Sequence, residues 1–349
     1  MLKIVFAIAA FVTVAGATPL CAYDYNASDF AAEVVSYTPG GDIKFDVISF
    51  QLFNDPCTAL GRPSQVTTVH SGLAGEANDA PVNPVHPPWR AYQVVTVGTG
   101  GQLTLKFDHP VANDARNPYG ADFLIFGNAR IHILGGTSWS STSDPEVVQG
   151  TGTMFAEPGI VSVSADGATW FTYDETTDPR ADTFAPTVGY EWDDANNVWG
   201  RELDPTRPLD PNIEAADFTE KTVAEMVAMY GRSAGGTAFD ISGFGLDWIQ
   251  YVRVEDDPVL GGTTEIDAIA DVSCCGDYRH PRPTGDINGD CRVNAADLVT
   301  ISAYWLASVP QPNSPAAAAD IYPDDANVIN LLDLAALAEN WLLCTFDCD

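Results

Sequence analysis

The chain has 349 residues, with 48 acidic side chains against 16 basic ones and a formal net charge of −32. Nucleic acids and anionic membrane surfaces recruit proteins through basic patches, so this balance argues against both and favours divalent cations or neutral polymers such as glycans. The length suggests about two domains, and the 46% of apolar residues is enough for a sizeable core.

At the start, Lys3 precedes an apolar run over residues 4–17. This pattern reads as a secretory signal peptide, too short for a membrane span. Cleavage sites with small residues end at Ala17 and at Ala22. The second, removing residues 1–22, leaves six of the seven cysteines, an even number. The mature protein is expected to be soluble and exported, either secreted or at the cell surface. Five of its cysteines, Cys274, Cys275, Cys291, Cys344 and Cys348, flank or enter the acidic C-terminal segment. A disulfide staple would help so small a unit, pairing Cys291 and one of Cys274 and Cys275 with Cys344 or Cys348. Zinc is the rival use of these thiols, but no paired Cys-x-x-Cys arrangement accompanies them.

Residues 28–37 are predicted as a short helix, capped by Ser28 and with Phe30, Val34 and Tyr37 on one face. From Gly40 the pattern changes to short strands separated by glycine, proline and aspartate. Residues 94–97 and 102–107 flank a Gly-Thr-Gly-Gly turn and are predicted as a hairpin. Further strands are expected at 121–128, 160–164, 169–171, 248–254 and 265–272. One helix is expected, 222–230, where Thr222 and Glu225 are spaced as a capping box. Many short strands with frequent turns imply a mainly β fold, an antiparallel β-sandwich over residues 23–273. Residues 274–284, with Pro281 and Pro283, read as a linker to a second unit, 285–349.

Catalytic chemistry leaves no clear trace in the sandwich. The five histidines do not cluster, no His-x-x-x-His pair occurs, and no Gly-x-Ser-x-Gly elbow is present. Glu157, Asp240, Glu265 and Asp267 stand in strand-like contexts, where a carboxylate is less expected than in a loop. A second calcium or ligand site, a solvent-facing side of a sheet, and catalysis compete to explain them. Trp192 and Trp199, in a polar run, are candidates for stacking on sugar rings. Trp170 and Trp248 are expected to fill the core, and Trp89 to be buried.

The most informative stretch begins at Gly285. Asp286, Asn288, Asp290, Asn294 and Asp297 place oxygen-bearing side chains so that a loop folding back on itself could aim them at one hard cation, the Arg292 carbonyl adding a further oxygen. A helical pattern follows, with Leu298, Ile301 and Trp305 on one face. Residues 293–306 realign without gaps on 329–342. Upstream the register slips by two, setting Asp320 against Asp286. One such helix cannot hide its apolar face, whereas two copies can pack together.

This doublet resembles the type I dockerin family over residues 285–349. The resemblance implies a small all-α module of two calcium-loop/helix repeats that plugs into a cohesin domain. It implies Ca2+ ligands at Asp286, Asn288, Asp290, Arg292, Asn294 and Asp297 in the first repeat. In the second it implies Asp320, Asp324, Asn330 and Asp333. The positions the family uses for cohesin recognition are Ala295-Ala296 and Leu331-Leu332. Cys291 stands where the family carries glycine, and the second loop is two residues longer and contains Pro323. The order of strand motifs upstream is similar to the jelly-roll modules of bacterial surface proteins and, distantly, to discoidin-type, galactose-binding-like domains. The expectation is an exported non-catalytic protein whose sandwich binds a polymer or surface ligand and whose C-terminal module attaches it to a cohesin-type partner. The alternative is a dockerin-borne glycoside hydrolase or lyase.

Overall fold

The computed structural model describes residues 21–22, 29–70, 77–174, 176–256, 262–272, 283–288, 293–308, 317–322 and 328–343. Sixteen strands are described in chain order. The first eight are β1 (Cys21–Ala22), β2 (Ala31–Thr38), β3 (Val66–His70), β4 (Ala77–Pro81), β5 (Val95–Thr96), β6 (Gln102–Ala112), β7 (Phe123–Gly127) and β8 (Arg130–Ile133). They are followed by β9 (Gly150–Phe155), β10 (Gly159–Ser164), β11 (Phe171–Thr172), β12 (Tyr190–Asp193), β13 (Val198–Glu202), β14 (Thr237–Phe239), β15 (Trp248–Asp256) and β16 (Glu265–Asp271). The helices are α1 (Val223–Tyr230), α2 (Ala295–Ala303) and α3 (Leu331–Glu339).

Two antiparallel sheets form the larger unit. One has the order β1-β2-β6-β15-β10-β11 and the other β14-β7-β16-β5. Leu103, Leu105 and Phe107 of β6, Val161 and Val163 of β10, and Val252 and Val254 of β15 are buried in one cluster with Phe123 and Ile125 of β7, Phe239 of β14, and Ile266 and Ile269 of β16. The sheets therefore face each other across a shared apolar layer. Phe123 and Phe239 stack at its centre, 4.9 Å between centroids. β7 is buried along its whole length because its other face is covered too. Leu124 and Phe126 join a second cluster with Val223, Met226, Val227 and Tyr230 of α1. A strand covered on both faces reads as a continuous apolar run, as this one does.

Several expectations are corrected. The segment predicted as a helix at 28–37 is strand β2, paired with β6. The register shifts between Ala31 and Glu33 and again between Val34 and Ser36. Two such irregularities break the two-residue alternation, so the apolar positions fall at a helical spacing. The predicted 94–107 hairpin is not one: β5 and β6 belong to different sheets. The Gly98–Gly101 turn is real, with the Gly101 N–H donating to the Gly98 carbonyl at 2.7 Å. It carries the chain from one sheet to the other against Gly40 and Gly41. Trp248 is exposed rather than in the core, and Trp170 is half-exposed. Both lie off the inner face. The Arg253 guanidinium sits 3.6 Å over the Trp170 ring, with Tyr251 edge-on to it. Trp89 is half-buried, its indole N–H donating to the Thr68 carbonyl at 2.9 Å.

Helix α1 forms where its capping box placed it, Thr222 accepting from the Glu225 N–H. Cys57 is disulfide-bonded. Residues 1–20 and Cys274, Cys275, Cys291, Cys344 and Cys348 lie outside the described residues, so the expected staple and all but the last two residues of the expected 1–22 signal peptide do too; Cys21–Ala22 form β1, paired with β2.

Candidate metal centre

Both C-terminal helices begin in the same way. Asn294 caps α2 by accepting from the Ala296 N–H at 2.7 Å, and Asn330 caps α3 by accepting from the Leu332 N–H at 2.7 Å. Each first turn then contributes a buried aspartate that reaches back to its loop. Asp297 accepts from the N–H groups of Ile287 (2.7 Å), Asn288 (3.1 Å) and Asn294 (2.9 Å). Asp333 accepts from Tyr322 (3.0 Å) and Asn330 (2.8 Å). One carboxylate thus ties the entry of each loop to its exit.

The repeats are also joined crosswise. The Val293 N–H donates to the Leu343 carbonyl and the Leu342 N–H returns to the Val293 carbonyl, both at 2.9 Å. The partner set links Leu306 and Ala307 with Ile329, at 2.8 and 3.2 Å. Leu306 and Leu342 both adopt positive φ, so the two repeats match even in backbone conformation. Ile287, Val293, Ile301, Ala319, Ile329 and Leu337 fill the small core between them, with Ile321 packed against it. Ile321 therefore corresponds to Ile287, which is the register that sets Asp320 against Asp286.

Residues 284–342 match the dockerin type I domain. No match was found among curated proteins or among solved structures. A dockerin domain implies calcium-dependent attachment to cohesin-bearing assemblies. In the dockerin unit Asp286, Asn288, Asn294 and Asp297 supply only hard oxygen donors, and the ring of hydrogen bonds through Asp297 holds Asn288 and Asn294 beside it. That donor set fits Ca2+. Asp290, Arg292 and Asp324 lie outside the described residues. In the second loop Tyr322 occupies the place of Asn288 and offers a phenol where the first offers an amide.

The four carboxylates singled out in the sandwich do not converge. Glu157 and Glu265 do meet, in mutual hydrogen-bond contact. Asp182, in a stretch without a sequence motif, lies beside them. The Thr263 N–H donates to Glu157 at 3.0 Å, and the Ala129 N–H to Asp182 at 2.7 Å. The Thr96 hydroxyl donates to Glu265 at 3.3 Å. All three carboxylates are buried. Burial pushes Asp182 up to about 7 against the pull of its N–H donors, and burial with the Glu157 contact pushes Glu265 well above the usual range. Asp182 lay in a polar loop run with nothing to mark it. The available signal was Gly127 at the end of β7: a Cβ there would fall 2.3 Å from the Asp182 carboxylate.

Asp267 and Asp240 lie elsewhere. The register of β16 shifts between Ile266 and Ala268, so Glu265 and Asp267 do not share the surroundings that their spacing suggests. Asp267 accepts from the Ser64 N–H at 2.7 Å and hydroxyl at 2.8 Å. Burial nevertheless pushes it up to about 7. Asp240 is exposed and caps a turn by accepting from the Ser242 N–H. Its charge adds to the burial that pushes neighbouring Asp122 up to about 6, against the N–H groups of Ile241 and Asp114.

These raised carboxyls set a pH dependence. Folded Asp267 and Asp122 hold protons that the unfolded chain releases near the ordinary carboxylate value. Stability from them therefore falls as pH rises from about 4 to about 7, then levels off. Asp267→Asn is expected to flatten that slope in thermal melts from pH 4.5 to 8 with EDTA present. Parallel slopes in variant and parent would refute the assignment.

Trp192 and Trp199 face each other across the β12–β13 ribbon, edge-to-face at 5.3 Å, and pack against the second core cluster. The Trp192 indole N–H donates to Glu146 at 3.3 Å. Each ring is half-buried by the other and by the core, so the pair does not form an open platform.

Proposed function

We propose that the chain is an exported or cell-surface binding protein. Its β-sandwich holds a polymer or surface ligand, a neutral glycan by preference, and its dockerin unit fastens it through calcium to a cohesin-type partner. The match over residues 284–342 carries the anchoring half. Leu331 and Leu332 at the start of α3, and Leu298 and Val299 on α2, are exposed and offer an apolar docking face. Among the described residues no helix is long and apolar enough to cross a membrane.

For the ligand half, the supporting feature is the turn around residues 44–53. Phe45, Val47, Phe50 and Leu52 are exposed on it, and Phe50 is 79% exposed. The turn separates two clefts. One, of 650 Å³, includes Trp89, Arg130, His132 and Trp139 in its lining; the other, of 710 Å³, includes Asn54, Arg62, Tyr92 and Asp267. Exposed rings beside planar polar side chains suit sugars, whose faces stack and whose hydroxyls hydrogen-bond.

Affinity electrophoresis through gels cast with neutral polysaccharides tests this. Full-length protein is expected to be retarded, and a Phe50→Ala/Tyr92→Ala variant to lose roughly tenfold in affinity, about 1.4 kcal/mol. Retardation equal in both proteins would remove the cleft assignment. Binding to a cohesin panel that persists in EDTA would remove the anchoring half.

The alternative of a dockerin-borne glycoside hydrolase gains nothing from Glu157 and Glu265. The two carboxyls of such enzymes stand about 5 to 9.5 Å apart on either side of the bond they cleave, whereas this pair is in direct contact and buried.

A further inference from the structure

We infer that the sandwich binds a divalent cation, Ca2+ by preference, between Glu157 and Glu265, with the Asn128 amide oxygen and the Thr263 hydroxyl as neutral ligands. This site is separate from the dockerin loops.

Three observations converge on it. The first is the burial of charge. Glu157, Asp182 and Glu265 are 8%, 1% and 2% exposed. Among the described residues none of the three pairs with a lysine, arginine or histidine within ion-pair distance. Arg130 and Lys44 lie in their field without pairing with them, and Arg130 is turned over the Phe155 ring, 4.3 Å from its centroid. Buried carboxylates without a paired cation are costly unless they are protonated or ligate a metal. Three carboxylates against the Arg130 guanidinium and the Lys44 ammonium leave an excess of negative charge, which a bound cation would offset.

The second observation separates a metal from a shared proton. Asn128 Oδ1 and Thr263 Oγ1 are buried with no hydrogen-bond partner in the protein, and Glu265 Oε2 receives no N–H or hydroxyl beyond the contact of Glu265 with the Glu157 carboxyl. Two of these oxygens sit on residues whose own N–H groups hold the carboxylates. Thr263 N–H donates to Glu157 and Asn128 N–H to Asp182. One proton between two glutamates satisfies one oxygen, whereas a cation can take them all.

The third is the donor chemistry. Among the described residues no three carboxylates, histidines or cysteines gather as ligands. The set is mixed: two carboxylates with an amide and a hydroxyl, all oxygen. Ca2+ accepts six to eight such donors in irregular geometry at about 2.3–2.6 Å, while Mg2+ demands a regular octahedron. Asp182 is a positioning residue here. Its oxygens are occupied by the N–H groups of Ala129, Asn128 and Glu265, which fixes the end of β7 against the start of β16. Gly262 itself passes close over Glu157, since a Cβ there would fall 3.0 Å from the Glu157 Cγ. The ion would clip three segments together: the end of β7, the turn after β9, and the entry to β16.

The test uses the full-length chain. Calcium per chain is measured by titration calorimetry for the parent, Asp297→Asn, Glu265→Gln and Glu157→Gln/Glu265→Gln. Each glutamine variant is expected to bind one ion fewer than the parent. Calcium is also expected to raise the sandwich's thermal midpoint in the parent and in Asp297→Asn, but not in the glutamine variants. Unchanged stoichiometry together with an unchanged calcium shift in the double variant would overturn the site and leave a proton-sharing pair. Should the glutamine variants fail to fold, the Asp297→Asn chain decides alone: no chelator-induced shift of its sandwich transition overturns the proposal. Loss of calcium in none but the glutamine variants would instead count against the dockerin loops and leave this site standing.

Discussion

Stripping calcium with EDTA is expected to unfold the dockerin unit while the sandwich stays folded at room temperature. Among its described residues six buried apolar side chains form its core, and modules of this size seldom hold together on apolar burial alone. Its loops also crowd Asp286 and Asp297 together, with the carboxylate of Asp290 expected beside them. A cation bound only by the folded form adds RT ln(1 + [L]/Kd), about 4 kcal/mol per site at a thousandfold excess over Kd. That is comparable to the whole stability such a module can muster. The sandwich has two large clusters in its place, so losing an ion should lower its midpoint without melting it. Far-UV circular dichroism should lose helical signal and keep its β contribution, and proteolysis should cut first within the C-terminal unit. Asp297→Ala should have the same effect at any calcium concentration, because it also removes the carboxylate that accepts three N–H groups in the loop closure. Helical signal and midpoint untouched by EDTA would refute the whole reading of this unit.

Asp46→Ala is expected to cost about 3–5 kcal/mol, the usual penalty for stranding one member of a buried ion pair. Asp46 is fully buried and its carboxylate meets the Arg90 Nε at 2.6 Å. It also accepts from the N–H groups of Ile48, Ser49 and Ala91. Arg90 in turn donates to Thr68 at 2.6 Å and lies between the Trp89 and Tyr92 rings. Burial pushes Asp46 up, but Arg90 and the three N–H groups outweigh it and hold the carboxyl at about 2. Its folded value is therefore below its unfolded one. The contribution is fully present above about pH 4 and disappears as pH falls through about 2. Urea unfolding at pH 7 should show the full loss, equivalent to roughly 10 °C in the thermal midpoint for a domain of this size. The gap between variant and parent should narrow toward pH 2. A difference below about 1 kcal/mol at pH 7, or one that does not change with pH, would show that the pair does not anchor the 44–53 turn.

The sequence made some of this molecule plain and concealed the rest for identifiable reasons. Strands such as β7 and β16 were visible because β-branched and aromatic residues cluster there between turn residues. The α1 cap was visible because Thr222 and Glu225 act within one turn of chain. Strand β2 was hidden by two irregularities of register, and the crossing at Gly98–Gly101 by the fact that a tight turn does not say which sheet each arm joins. In the C-terminal unit, spacing alone revealed the repeat, since its candidate ligands lie within a dozen residues of one another. The Glu157–Asp182–Glu265 group was only partly visible because its members are separated by 25 and 83 residues of chain. What unites them is packing over Gly127, which no local pattern records.

The crossed pairings of Val293 with Leu342 and Leu343, and of Ile329 with Leu306 and Ala307, make the two halves of the tail one mechanical circuit. Neither loop can open without pulling on the far end of the opposite helix. Order gained at the better-furnished loop is therefore lent to the one with Tyr322 and Pro323. The weaker half is held ready by its neighbour, and the tail should engage or release its anchorage in a single step.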